Sequence, residues 1–204
     1  MKTITQKELF LKLKKHAMWL LDESKGERAD FTDCILKDLD LSYVNLNQAG
    51  FTGAKLNNVD FRGSNLNGAS FVGATLVKVD FSGANLRSAF LNSTTLSEVT
   101  FIRANLEGIY LERAHFKSVE LMDTIIKDSY HPFDKFKSVF GLRYTVIFFD
   151  DTVIVGCESH TYKEWLAFSN KEIMKMDKHA LEFYHDYLVP IIKAEYKEEL
   201  KWKQ

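Results

Sequence analysis

The sequence predicts an all-β solenoid: a right-handed, four-sided β-helix of about five coils, with a capping helix before it and a small α/β appendage after it. Three observations predict this fold. Large apolar residues recur at every fifth position, the residue two places before each is mostly small or β-branched, and a period of twenty lies over the period of five. A period of five fits neither an α-helix nor a flat strand, so the backbone must turn a corner every five residues.

The five-residue positions hold only Leu, Phe or Ile, and we expect these twenty side chains to point at the axis of the solenoid. They are Phe31, Leu36, Leu41, Leu46, Phe51, Leu56, Phe61, Leu66, Phe71, Leu76, Phe81, Leu86, Leu91, Leu96, Phe101, Leu106, Leu111, Phe116, Leu121 and Ile126. Burial of each Leu or Phe contributes roughly 1.5–3 kcal/mol. Six glycines follow such a position by two places, where the corner is expected and a permissive backbone helps.

Four corners close a square, so one coil takes twenty residues. One face repeats Val59-Asp60-Phe61 as Val79-Asp80-Phe81, and the next face carries an asparagine one coil apart at four places: Asn45, Asn65, Asn85 and Asn105. Neighbouring coils lie ~4.8 Å apart, so we expect these asparagines to stack and to hydrogen-bond along the face.

Two stretches match the repeat pattern A-(D/N)-L-x-x directly, Ala84-Asn85-Leu86 and Ala104-Asn105-Leu106. With the periods above, they resemble the pentapeptide-repeat family. The resemblance covers about half of the chain. It implies the β-helix fold, and it implies little about function, because that family is mostly non-catalytic and diverse.

Residues 1–28 come before the solenoid, which we place at 29–128. Thr5-Gln6-Lys7-Glu8 is a capping box, and residues 5–23 form an amphipathic pattern that predicts a helix. Because the open end of a solenoid must be covered, we expect this helix to lie over the first coil. Association with a membrane surface is the alternative.

Residues 129–204 form the predicted C-terminal appendage, because the five-residue period ends near Ile126. Apolar runs at 143–149 and 152–157, joined by Asp150-Asp151, predict a β-hairpin. Capping boxes at Thr161 and Ser169 predict two helices, and a last helix is expected from about Asp177 toward Leu200, with a bend near Pro190. The tail resembles those of phage-encoded pentapeptide proteins, which implies a phage or prophage origin.

The one compact group of reactive residue types is Gly156–His160. Cys157 and His160 could supply half of a zinc site, but His179 and His185 are six residues apart and do not share a helix face. We therefore predict no metal and no cofactor. A Cys157–His160 nucleophile is a rival that lacks an orienting group. Two other interpretations stay open: a plain turn from strand to helix, and a ligand pocket formed with Tyr144 and Trp165.

A second candidate lies on the outside of the last coils. Phe90, Tyr110 and Tyr130 each precede an axial position by one and are twenty residues apart, so they should stack as an aromatic strip. Exposed strips of this size usually mark a contact. We therefore expect the strip to be covered in one of three ways. The C-terminal appendage covers it, a second subunit covers it and forms a homodimer through the C-terminal half, or the strip binds another partner.

The composition excludes several classes of binding partner. Lys plus Arg is 27 and Asp plus Glu is 28, which argues against direct DNA binding. From Asp30 to Asp128 the sequence contains twelve acidic and nine basic residues. This excess of negative charge is too small for a protein that mimics DNA. No apolar run reaches the ~20 residues of a membrane span. Cys34 and Cys157 fall at opposite ends of the solenoid, too far apart for a disulfide, so we expect reduced thiols and a cytoplasmic location.

These observations predict a non-enzymatic, phage-borne protein that engages and inhibits a host protein in the host cytoplasm. The alternative is sequestration of a small nucleotide-like ligand at the junction of solenoid and tail. The candidate binding residues are Phe90, Tyr110, Tyr130, Tyr144, Cys157, His160 and Trp165.

Overall fold

The computed structural model describes residues 1–121, 124–125, 137–139, 146–149, 152–155, 158–177 and 180–193. The chain divides into two compact units, Met1–Asp134 and Lys135–Gln204. The first unit contains the repeats, and the second contains a small sheet with helices.

The first unit is built on one all-parallel sheet of six strands in chain order. The strands are β1 (Lys2–Thr3), β2 (Cys34–Asp40), β3 (Lys55–Asp60), β4 (Thr75–Asp80), β5 (Thr95–Thr100) and β6 (His115–Glu120). From β2 onward each residue pairs with the residue twenty places later, as Leu36 with Leu56 and Leu56 with Leu76. The sheet therefore forms a β-solenoid of about four turns. The fifth coil of the prediction runs into residues 122–123 and 126–130, outside the described part.

Every corner of the solenoid from Asp33 to Ser118 has a left-handed backbone, with φ between 53° and 66°. Six of these corners are glycine, as the sequence predicted, and the other twelve carry side chains. A hydrogen bond across each tight corner, such as Ala54 N–H to the Phe51 carbonyl at 3.0 Å, holds the turn. The corner is thus set by the stacking of turns, and glycine only eases it.

The axial residues from Phe31 to Leu111 are all buried, and so is Leu121, which confirms the predicted core for these turns. Phe116 is only half-buried, contrary to the prediction, and Ile126 lies outside the described residues. Phe51 and Phe71 stack at 4.6 Å between ring centroids, and Phe61 and Phe81 stack at 5.1 Å on the next side. The two columns meet edge to face, with Phe51 and Phe61 at 5.7 Å. Offset stacks and edge-to-face pairs are the arrangements that aromatic quadrupoles favour, so the phenylalanines pack the axis without a polar contact.

The asparagine ladder is also present. Asn65 donates from Nδ2 to Oδ1 of Asn45 at 3.1 Å, and Asn85 does the same to Asn65. These bonds link successive turns on the outside, as the twenty-residue period predicted.

The N-terminal end of the solenoid is covered by β1 and by helix α1 (Gln6–Leu21). The capping box of Thr5 and Glu8 is formed. On the inner side Leu9 and His16 are buried, and Lys12 Nζ donates to the carbonyl of Asp30 at 2.6 Å. The predicted cap is confirmed. Strand β1, which pairs in parallel with the edge of β2, was not predicted from the sequence.

The second unit contains an antiparallel sheet in the order β10-β9-β8-β7. Its strands are β7 (Lys137–Val139), β8 (Val146–Phe149), β9 (Thr152–Val155) and β10 (Glu158–Thr161). The pairing of β8 with β9 is the predicted hairpin. The interpretation of Gly156–His160 as a plain turn is wrong from Glu158 onward, because those residues pair with β9 as a strand. Pairing with a neighbour decides strand formation here, and the local sequence does not.

Three helical segments follow, α2 (Tyr162–Ala167), α3 (Asn170–Met176) and α4 (Ala180–Phe183). Thr161 and Ser169 cap the first two through complete capping boxes, as predicted. After α4 the helix widens into a π-helical turn at Tyr184–Leu188, where the Val189 N–H donates to the Tyr184 carbonyl. Pro190 has no N–H and crowds the carbonyl four residues earlier, and a wider turn relieves that crowding.

Candidate functional site

The aromatic strip begins where the sequence placed it. Ser70, Phe90 and Tyr110 lie side by side through parallel bridges between successive turns. The rings of Phe90 and Tyr110 stack with centroids 4.6 Å apart and planes 15° from parallel. Phe90 is 38% exposed. Tyr130, the third predicted member, lies outside the described residues, so the strip is described for two of its three rings.

Backbone hydrogen bonds fix the positions of these two rings. Phe90 donates its N–H to the Ala69 carbonyl at 2.9 Å, and the Tyr110 carbonyl accepts from Leu91 N–H at 2.7 Å. The side chains therefore project from a ladder that is bonded above and below. A surface of this kind is preorganised, because the rings are held by the turns that carry them.

The acidic row Asp40, Asp60 and Asp80 is engaged within the solenoid. The Oδ1 atoms of Asp40 and Asp80 accept from the backbone N–H groups of Ser42 and Ser82 at 2.9 and 2.8 Å. Hydrogen bonds from the Arg62 guanidinium hold the pKa of Asp60 below its usual value. Hydrogen bonds from Ser42 lower the pKa of Asp40 in the same way. Each carboxylate thus braces the corner that follows it, which accounts for the row without a partner.

In the second unit, His160 sits on β10 beside two aromatic rings. Its ring meets Trp165 edge to face at 5.1 Å and Phe168 at 4.8 Å. Its Nε2 lies 3.4 Å from Oε2 of Glu158 but at an angle that forms no hydrogen bond. The structure therefore brings His160 and Trp165 together, as the pocket interpretation requires. Tyr144 and Cys157 lie outside the described residues.

A cavity of about 310 Å³ lies next to Trp165. Its lining comes from β9, β10 and the helices: Val155, Glu158, Trp165, Ile173, Met176, Asp177, Ala180, Phe183, Tyr184 and Leu188. Of the predicted site residues that the structure describes, Trp165 lines the cavity and His160, Phe90 and Tyr110 do not. Sequence reasoning missed the other lining residues. The signal that could have found them is the spacing of three from Ile173 to Met176 and of four from Tyr184 to Leu188, which is typical of one buried helix face.

The polar groups of the two cavity aromatics point to backbone carbonyls. Trp165 donates from Nε1 to the Val153 carbonyl at 2.8 Å. The Tyr184 hydroxyl donates to the Trp165 carbonyl, and burial raises the pKa of Tyr184. These bonds tie β9, α2 and the π-helical turn together around the cavity.

Within the described residues, no group of three His, Cys, Asp or Glu side chains is placed to hold a metal ion. Among the described helices, none combines the length and the apolar character that crossing a bilayer requires.

Comparison with known proteins identifies the first unit. Residues 24–101 match the family model described as a pentapeptide repeat region. The repeat region of this chain belongs to the pentapeptide repeat family. The second unit lies outside the matched residues.

Several solved structures are similar to about half of the chain. One, from the Arabidopsis thaliana thylakoid lumen, is 30% identical over 48% of this chain and 72% of its own, with a TM-score of 0.42. QnrB1, a plasmid-mediated fluoroquinolone resistance protein, is 22% identical over 52% of this chain and 63% of its own, with a TM-score of 0.28.

HetL, a pentapeptide repeat protein involved in heterocyst differentiation regulation from Nostoc sp. strain PCC 7120, is 23% identical. The match covers 50% of this chain and 53% of HetL, with a TM-score of 0.23. This chain therefore spans about half the length of HetL. No curated protein matches the chain.

Proposed function

We propose that this pentapeptide repeat protein is a non-enzymatic, phage-borne binding protein that engages and inhibits a host protein in the host cytoplasm. Its contact surface is centred on the stacked rings of Phe90 and Tyr110. The single observation that carries the proposal is the partly exposed, preorganised aromatic pair on an otherwise polar face of the solenoid.

The solenoid does not need rings at this position. The same place in earlier turns holds Asp30, Gly50 and Ser70, and those turns stack with the same backbone bridges. Phe90 therefore adds exposed apolar area without being required for the fold. Aromatic side chains with two rotatable bonds supply large contact area at low entropic cost, which suits a binding surface.

The polar side chains of the solenoid favour binding over catalysis. Asp30 and Asn105 accept hydrogen bonds from the backbone N–H two residues later, as the three carboxylates of the acidic row do. Carboxylates and amides used in this way hold corners and are not poised as acids, bases or nucleophiles.

The test compares Phe90→Ser with a matched control. Serine already occupies this position one turn earlier, as Ser70, so the variant is expected to fold with an unchanged melting temperature. The control is Tyr43→Ser, which removes an aromatic ring that is 83% exposed elsewhere on the solenoid. Proteins captured from host lysate by wild type and both variants are quantified by mass spectrometry, and the activity of the captured protein is assayed.

We expect Phe90→Ser to lower recovery of one host protein about tenfold, corresponding to a hot-spot loss, while Tyr43→Ser leaves recovery unchanged. Addition of wild-type protein is expected to inhibit that host protein. Equal recovery by all three proteins would refute the proposed surface. A concentration-dependent dimer that Phe90→Ser converts to a monomer would instead assign the strip to self-association.

A further inference from the structure

We propose that the cavity of the C-terminal unit is a binding site for a small apolar amine, held by its protonated nitrogen at Glu158 and Asp177. The site is separate from the Phe90–Tyr110 surface, and its test has no bearing on that surface.

The walls of the cavity are apolar. Four of the apolar lining residues are each at most 5% exposed: Trp165, Ile173, Phe183 and Leu188. They come from α2, α3, α4 and the π-helical turn, and Val155 lines the cavity from the sheet. Cavities of this size with apolar and aromatic walls are typical of small-molecule sites. A volume of about 310 Å³ lies at the lower end of the range for such sites, which favours a small ligand.

The polar lining selects the charge of the ligand. The indole N–H of Trp165 and the hydroxyl of Tyr184 already donate to backbone carbonyls. Among the described lining residues the two charged ones, Glu158 and Asp177, are acidic. The Nε2 atom of His160, a residue outside the described lining, lies 3.4 Å from Oε2 of Glu158 without a hydrogen bond. Carboxylates accept hydrogen bonds and repel anions, so the lining favours a cationic donor and disfavours a phosphate.

The positions of the two carboxylates in the chain support one role. Glu158 begins β10 opposite Val155, and Asp177 ends α3 as its C-cap residue. The π-helical turn adds Tyr184 and Leu188, its first and last residues, to the lining of the cavity. Single π-turns within helices occur often at functional sites. Aromatic faces near a cation add a further attraction that an alcohol or an acid lacks.

The experiment titrates the full chain with three probes that share one ring. These are 2-phenylethylamine, 2-phenylethanol and phenylacetate, which are cationic, neutral and anionic, and binding is measured by isothermal titration calorimetry. We expect the amine to bind about tenfold more tightly than the alcohol, and phenylacetate to bind more weakly than both.

Two variants locate the site. Glu158→Gln is expected to remove the preference for the amine while leaving affinity for the alcohol unchanged, and Glu182→Gln, at the neighbouring α4, serves as a carboxylate control without effect. Ala180→Leu fills part of the cavity and is expected to weaken both ligands. A dissociation constant weaker than about 10 mM corresponds to a binding free energy too small for a specific site. If wild-type protein shows no binding of the amine up to that concentration, the proposal is overturned. Retention of the amine preference in Glu158→Gln would overturn it as well.

Discussion

Ser64 occupies a narrow inward position, two residues before an axial leucine, where alanine is the most frequent residue along the solenoid. It is buried, and its hydroxyl has no hydrogen-bond partner among the described residues. Thr94 occupies the equivalent position elsewhere and donates to the Phe71 carbonyl at 2.8 Å. A buried polar group costs free energy unless it is hydrogen-bonded. The Ser64 hydroxyl therefore lowers the free energy of unfolding, and the bonded Thr94 hydroxyl raises it.

We expect Ser64→Ala to raise the free energy of unfolding by about 1 kcal/mol, because it removes an unbonded hydroxyl and opens almost no cavity. Thr94→Val keeps the shape and is expected to lower the same quantity by about 1 kcal/mol. Urea unfolding followed by circular dichroism measures both. Destabilisation by Ser64→Ala would show that its hydroxyl is bonded in solution.

The corner at Gly83 isolates the cost of the left-handed backbone. A Cβ built there meets nothing within 4 Å, and φ is 66°. We expect Gly83→Ala to lower the free energy of unfolding by about 1 kcal/mol through backbone strain alone. Gly83→Asn is expected to cost less, because asparagine tolerates this conformation and Asn58 already adopts it with φ of 53°. Equal losses in the two variants would indicate that side-chain packing, and not φ, sets the cost.

At the scale of the element, α1 docks on the first turn through a histidine. His16 is fully buried, and its Nδ1 accepts the N–H of Ala29 at 3.1 Å. The ring stacks on Trp19. Burial, and then the charge of Arg28, hold the pKa of His16 below its usual value. The docked helix therefore requires a neutral imidazole.

The sign of the pH dependence follows from that lowered pKa. Below about pH 6.5 the unfolded chain binds a proton at this residue that the folded chain does not, so stability declines as pH falls. We expect faster amide exchange along α1 and at Ala29 at pH 5.5 than at pH 7.5, after correction for intrinsic rates. His16→Gln retains an acceptor and is expected to lose this dependence. An unchanged dependence in His16→Gln would place the responsible group elsewhere.

At the scale of the whole molecule, the solenoid turns share one axial core and should unfold together. Leu86 lies in the middle of that core and is fully buried. Leu86→Asp places an unpaired charge on a dry axis, so we expect loss of the cooperative melting transition. Thr95→Asp puts the same charge on an exposed strand position, and we expect its melting temperature to stay within a few degrees, about 2–4 °C, of wild type. Cooperative melting of Leu86→Asp near the wild-type temperature would contradict a single core.

The repeat region was predictable because one period dictates both backbone and burial. Once Leu86 is assigned to the axis, Asn85 must point outward and the corner must fall at Ser88. The twenty-residue period then predicts that Phe90 lies beside Tyr110. The C-terminal unit has no such rule. Its cavity depends on how α2, α3 and the π-helical turn pack, which no local pattern encodes. For the same reason β10 was missed: its partner β9, and not its own polar sequence, makes it a strand.

The pairing of β1 with β2 has a further consequence. A fold in which each rung templates the next, in identical register, could equally template a rung from another molecule, and this is how amyloid fibrils grow. Residues 2 and 3 occupy the leading edge of that stack, and α1 lies directly behind them in the chain. Only a two-residue strand is presented at this edge, so we expect the segment before the repeats to disfavour the addition of a rung from another molecule.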